Sequence, residues 1–178
     1  WRNILHRDIK PGNVLVVDDE VRVLDFGLSL SVDNLEEAGD EISGTTAFMA
    51  PELFNGDPPS AASDLYAVGI MAYQLFTGRL PFPTGTLVQT MHYALEVQPE
   101  IDSLDLPDGI KALLAQLLAK NPARRHGTAR EVIADLAAAT DQSIACETVR
   151  TRESFLESAP LVGRKGEVQQ LTRMLDEA

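Results

Sequence analysis

The segment "LYAVGIMAYQLF", Leu65 to Phe76, places the strongest constraint on what this chain can fold into. Wound as a helix, it is apolar on nearly every side, so other elements have to enclose it. Ser63-Asp64 reads as its cap, and Thr77-Gly78 as its end. The run is too short to cross ~30 Å of hydrocarbon, so it reads as the buried helix of a globular core.

Other elements supply that enclosure. Asp108 to Lys120 carries Ile110, Leu113, Leu114, Leu117 and Leu118 at helical spacing, with Asn121-Pro122 as a stop. Thr128 to about Ala139 reads as a further helix with Val132, Ile133 and Leu136 on one face, and Thr86 to about Val97 as another. Near the start, Val14–Val17 and Val21–Leu24 are β-branched or apolar runs separated by Asp18-Asp19-Glu20, the pattern of a hairpin. Polar and acidic residues from Ser31 to Ser43 form a surface loop that Pro51-Glu52 closes. The periodicity fades from Thr140 to Ala159, and a new amphipathic pattern at Val168, Leu171 and Leu175 follows it. There is no internal repeat.

Composition narrows the function. With 178 residues, 44% hydrophobic and 24% charged, the chain is ordinary globular protein. A net charge of -12 argues against a nucleic-acid surface, which needs a basic stripe. A single cysteine, Cys146, excludes an internal disulfide framework and favours a reducing compartment. Cytoplasmic location is the expectation, with membrane attachment of a longer parent left open. His92 and His126 read as surface residues without partners.

The chemistry concentrates in "HRDIKPGN", His6 to Asn13, and "DFG", Asp25 to Gly27. Phosphoryl transfer needs placed charge more than covalent help. A carboxylate must orient the attacking hydroxyl, oxygen ligands must hold divalent cations, and a cation must offset charge on the transferred group. Asp8, Asn13 and Lys10 supply these three in one loop, and Asp25 adds a second carboxylate suited to Mg²⁺.

Together with "GTTAFMAPE" (Gly44 to Glu52), "DLYAVG" (Asp64 to Gly69) and "NPARR" (Asn121 to Arg125), these motifs resemble eukaryotic-type (Hanks-type) serine/threonine protein kinases. Five motifs in order, over about Ile4 to Ala139, make the resemblance specific. It implies a mainly α, overall α+β, kinase-like large lobe: a helical bundle with a short β-hairpin beside the catalytic loop. It implies domain limits of 1–139 for that lobe, 140–160 for a linker and 161–178 for the start of a following domain. "LVGRKGEVQQL", Leu161 to Leu171, resembles the opening of AAA-type ATPase modules.

By resemblance, Asp8 is the catalytic base, Asn13 and Asp25 hold the metal, and Lys10 is the lysine that marks Ser/Thr specificity. Thr45 contacts base and lysine beside the substrate. His6 packs in the core and stacks on Phe26. Glu52 and Arg125 form a buried ion pair, and Asp64 caps the buried helix while holding the catalytic-loop backbone. Arg7 marks kinases set by negative charge on the activation loop. Glu41, or neighbouring Asp40, is a candidate stand-in for a phosphate, Ser43 is a candidate phosphorylated position, and "EEAGDE" as a plain solvated loop is the alternative. ATP, Mg²⁺ and proteins bearing Ser or Thr are the implied ligands and substrates.

The chain opens on Trp1, and the glycine-rich loop, strand lysine and hinge of a small lobe have no counterpart in it. The expectation is therefore a fragment of a longer kinase, with little activity and marginal stability by itself. Its partners would be the missing small lobe and a downstream domain. The rival reading is a kinase-like interaction module without catalysis; a small-molecule phosphotransferase is a weaker third.

Overall fold

The computed structural model describes residues 5–18, 20–24 and 46–142, all within one compact unit. It is mostly helical with one two-stranded antiparallel sheet, as the sequence pattern predicts. A single 3₁₀ turn, Pro11–Asn13, leads into strand β1, Val14–Val17, which pairs with β2, Glu20–Val23. Val17 pairs with Glu20, so the second strand starts one residue earlier than the apolar run suggests. Asp18 takes a left-handed conformation (φ 50°) in the turn, a region that aspartate tolerates and tight hairpins require. The apolar side chains of the hairpin face outward: Val16 is 69% and Val21 66% exposed.

Helix α1, Pro51–Phe54, starts on a proline whose missing N–H is no loss at a first helical position. The central helix α2, Ala61–Thr77, begins earlier than expected. Its cap is Ser60, not Ser63-Asp64. Ser60 Oγ accepts from the Ser63 amide, and Ser63 Oγ accepts from the Ser60 amide at 2.7 Å, a reciprocal box that satisfies two N-terminal donors. Asp64 sits in the first turn and is free to point elsewhere. Gly78 closes α2 in the left-handed conformation (φ 73°).

Burial of α2 is also less complete than its composition implies. Tyr66, Ile70 and Tyr73 are fully buried, but Leu75 is 81% exposed and Phe76 is 45% exposed. The enclosing elements cover the first four turns and leave the last one at the surface. Helices α3 (Leu87–Glu96), α4 (Asp108–Leu117) and α5 (Ala129–Thr140) complete the bundle. Thr86 caps α3 through a second reciprocal box with Gln89, and Thr128 caps α5.

The core forms where α4 crosses α2. Tyr66, Ile70 and Tyr73 pack with Ile110, Leu114 and Leu118, joined by Ala50 and Ile101. Leu65, Leu113 and Leu117 form a second cluster against Val132 and Leu136 of α5. Gly69 permits the close crossing, since a Cβ there would lie 2.8 Å from Leu117 Cβ. Helix α4 stops at Leu117 rather than continuing to Lys120: the Ala119 amide turns to the Gln116 carbonyl, and the Arg125 side chain then satisfies the carbonyls of Ala119 and Lys120. Among the described residues, no helix is long and apolar enough to cross a membrane.

Candidate active site

The loop from His6 to Asn13 is fastened to the helical core by one carboxylate. Asp64 Oδ2 accepts the His6 amide at 2.8 Å, and Oδ1 accepts the Arg7 amide at 2.9 Å. An early start to α2 makes this possible, since Asp64 then projects from a helix rather than serving its end. Arg7 itself has φ 70°, a strained conformation for a residue with a side chain. The paired hydrogen bonds hold it there.

His6 is buried, and its ring ties the loop to the hairpin. Nε2 lies 2.7 Å from the Leu24 carbonyl, and Nδ1 accepts the Asp8 amide at 3.3 Å. Those partners put the proton on Nε2. Phe26, expected to stack on this ring, lies outside the described residues.

Three chemical side chains converge next. Asn13 is buried and donates through Nδ2 to the Asp8 carbonyl at 2.8 Å and to Asp8 Oδ2 at 2.9 Å. Lys10 Nζ lies 2.9 Å from the same Oδ2. Asp8 Oδ2 thus receives an amide and an ammonium group, which together fix the carboxylate plane. With the Asn13 NH₂ committed to Asp8, its Oδ1 is the atom suited to a hard cation. Among the described residues, no cluster of three or more His, Cys, Asp or Glu forms a metal site. Asp25, the expected second metal-binding carboxylate, lies outside the described residues, as do Thr45, Glu41, Asp40 and Ser43.

The second feature is an anchor behind the loop. Arg125 and Glu52, both buried, meet through Nη1 to Oε1 and Nη2 to Oε2, each at 2.7 Å. Nη1 also donates to the Ala62 carbonyl, Nε to that of Ala119 and Nη2 to that of Lys120. All five guanidinium N–H groups are satisfied, the condition for a buried charge to persist. The guanidinium carbon also sits 4.8 Å from the Tyr66 ring centroid. Burial pushes the Tyr66 hydroxyl well above the usual phenol range, with Arg125 opposing, so it stays protonated. Its oxygen has no hydrogen-bond partner among the described residues. It borders a small cleft with Thr46, Ala47, Phe82, Thr90 and Ala94.

Two groups escape a reading of the sequence. His126, expected at the surface, is 2% exposed, and its Nε2 lies 2.9 Å from Asp135 Oδ2 on α5. The docking of α5 covers it, and no local pattern announces that. His92 is exposed, as expected. Lys120 is half-buried, its ammonium 4.4 Å from the Phe82 centroid and 3.0 Å from the Tyr93 carbonyl. Burial, and then Arg125, pull its pKa from 10.5 down to about 8.

The sequence profile described as the protein kinase domain matches residues 1–136. The chain belongs to the protein kinase family. Among its relatives, serine/threonine-protein kinase PknA of Mycobacterium tuberculosis is 36% identical over 127 residues, 69% of this chain and 29% of that protein. A probable serine/threonine-protein kinase, CE0033 of Corynebacterium efficiens, is 33% identical over 144 residues, 75% of this chain and 22% of that protein. Serine/threonine-protein kinase PknK of Mycobacterium bovis is 33% identical over 133 residues, 72% of this chain and 12% of that protein. The kinase chain described here therefore spans less than a third of the length of these relatives.

Proposed function

We propose that this chain is the large lobe of a serine/threonine protein kinase that moves the terminal phosphoryl group of ATP to Ser or Thr hydroxyls of proteins. The observation that carries the reading is the convergence of Asn13 and Lys10 on one oxygen of Asp8, on a loop that Asp64 pins by two amides.

In this reading Asp8 Oδ1 accepts the hydrogen of the incoming hydroxyl and orients its lone pair along the line of attack. Lys10, held beside Asp8, offsets negative charge that spreads over the transferred group. Asn13 Oδ1 and the Asp25 carboxylate are the oxygens that would hold Mg²⁺, a donor set that fits a hard cation. Bound there, Mg²⁺ supplies charge neutralisation for the phosphates. The Glu52–Arg125 anchor fixes residues 50–54 against the core, and with them the end of the segment that would present the substrate. Arg7 is exposed beside the base, which supports a regulatory reading in which Glu41, Asp40 or a phosphorylated Ser43 of the later acidic loop bears on it.

The test uses the intact parent protein with Asp8→Asn, an isosteric change that removes the base but keeps hydrogen-bonding capacity. Transfer of labelled phosphate from ATP to a Ser/Thr peptide should fall about 10²–10⁴-fold. An unchanged rate in a folded variant overturns the proposal.

A further inference from the structure

Lys120 sits just past the end of α4 and reaches two elements far from it in sequence. Its Nζ lies 4.4 Å from the Phe82 ring centroid and donates to the Tyr93 carbonyl at 3.0 Å. The Phe82 and Tyr93 rings stack with centroids 6.2 Å apart. One ammonium group therefore joins the 80–83 loop to α3, and joins both to the chain that leaves α4. The stem is half-buried, and both the ring face and the carbonyl oxygen attract a cation.

The other end of this tie is the ion-pair anchor. The Lys120 carbonyl accepts from Arg125 Nη2, the nitrogen that also binds Glu52 Oε2. The guanidinium that holds Glu52 of α1 thus also fixes the main chain from which the Lys120 side chain extends. What that side chain grips bears on the segment ahead of and including α1. Phe82, Pro83, Thr90 and Ala94 border the small cleft together with Thr46 and Ala47, and α1 packs against α3. The Asp8 loop is held separately, by Asp64 on α2.

We propose that Lys120 is a positioning residue for the protein substrate: through the Phe82 ring and the Tyr93 carbonyl, its ammonium holds the 80–83 loop and α3 against residues 46–54. This rests on the reading of residues 46–54 as the end of the substrate-presenting segment. Lys120 touches neither the reacting atoms nor the Asp8 loop, so its loss bears on how the peptide is seated rather than on transfer of the phosphoryl group. Lys111, on α4 itself, donates to the Asp102 carbonyl in the loop just before that helix, and serves as the control for loss of a positive charge.

The test compares Lys120→Met, Lys120→Arg and Lys111→Met in the intact parent kinase, with a Ser/Thr peptide as substrate. Methionine keeps the stem and loses the ammonium, whereas arginine keeps a donor and a cation for the ring face. Lys120→Met should raise KM for the peptide about 3–10-fold, with kcat and KM for ATP unchanged. Lys120→Arg should restore the native KM, and Lys111→Met should not disturb it. Phe82→Leu, which keeps an apolar wall, should give a similar rise, and combining it with Lys120→Met should add little, because the two changes remove one shared contact. An unchanged peptide KM in folded Lys120→Met, a rise that Lys120→Arg does not reverse, an equal rise in Lys111→Met, or full additivity with Phe82→Leu overturns the assignment. If Lys120→Met does not fold, Phe82→Leu decides, an unchanged peptide KM there counting against the proposal. Peptide affinity measured by fluorescence anisotropy in the Asp8→Asn background gives the same comparison without turnover. Failure of the phosphotransfer reading, seen as an unchanged rate in Asp8→Asn, is therefore a separate result from failure of this one.

Discussion

Arg125 and Glu52 are 73 residues apart in sequence, yet they meet through two parallel hydrogen bonds of 2.7 Å, with both side chains almost fully buried. Each charge is tolerable only because of the other and of three backbone carbonyls. Removing one partner leaves an uncompensated buried charge.

Arg125→Ala and Glu52→Ala should each therefore destabilise the protein by about 3–5 kcal/mol. Denaturant unfolding of both single variants and the double variant checks this. The double variant should lose less than the sum of the singles, because it leaves no orphaned charge. Strict additivity would mean that the pair is not coupled as its geometry implies.

Lys120 gives a stability effect with a definite sign. Its pKa is lowered from 10.5 to about 8 in the folded state, so between those values the unfolded chain binds more protons. Stability then rises with pH across that window, and the penalty is fully present below about pH 8. Lys120→Met keeps the stem over Phe82 and removes the titration. The stability difference between Lys120→Met and the native chain should shrink from about pH 8 to about pH 10.5 as the native chain gains. A pH-independent difference would remove the basis for a perturbed amine.

Gly69 faces the crossing of α2 and α4. A Cβ there would lie 2.8 Å from Leu117 Cβ and 3.0 Å from Leu118 Cδ2. Gly69→Ala should raise helix propensity by up to ~1 kcal/mol, yet overpacking costs about 1–3 kcal/mol. The expected outcome is net destabilisation in thermal unfolding, against the usual gain from Gly→Ala in a helix. A stabilised variant would show that the two helices can separate at little expense.

Parts of this architecture are legible in the sequence for clear reasons. Leu113, Leu114 and Leu117 declare the buried face of α4 by spacing alone, and Thr86 and Thr128 mark where their helices begin, the positions at which the structure makes them caps. Ser60 does not, since Ala61 and Ala62 separate it from the apolar run and Ser63-Asp64 looks like the nearer boundary. His126 and Lys120 were illegible for a different reason. Asp135 reaches His126 only after α5 docks, and Lys120 is desolvated only after Arg125 folds back onto the end of α4. Both environments arise from tertiary packing, which local pattern does not encode. The Asp8, Lys10 and Asn13 cluster is legible because all three lie within one short loop.

Asp64 offers the sharpest separation of positioning from folding. Both of its oxygens are engaged by the amides of His6 and Arg7, and Arg7 is held at φ 70°. Asp64→Asn replaces one acceptor with an NH₂ group that faces an amide N–H, so one hydrogen bond becomes a repulsion. The loss of a charged acceptor is worth about 1–3 kcal/mol, which corresponds to about 5–150-fold in rate if it falls on the geometry of Asp8. In the intact kinase, kcat for peptide phosphorylation should drop by that factor with KM for peptide nearly unchanged. A purely structural role predicts instead a lowered melting temperature with normal kcat in the folded fraction. Measuring both on the same preparation decides between them, and a variant that melts early but turns over normally would show that the loop keeps its shape without Asp64.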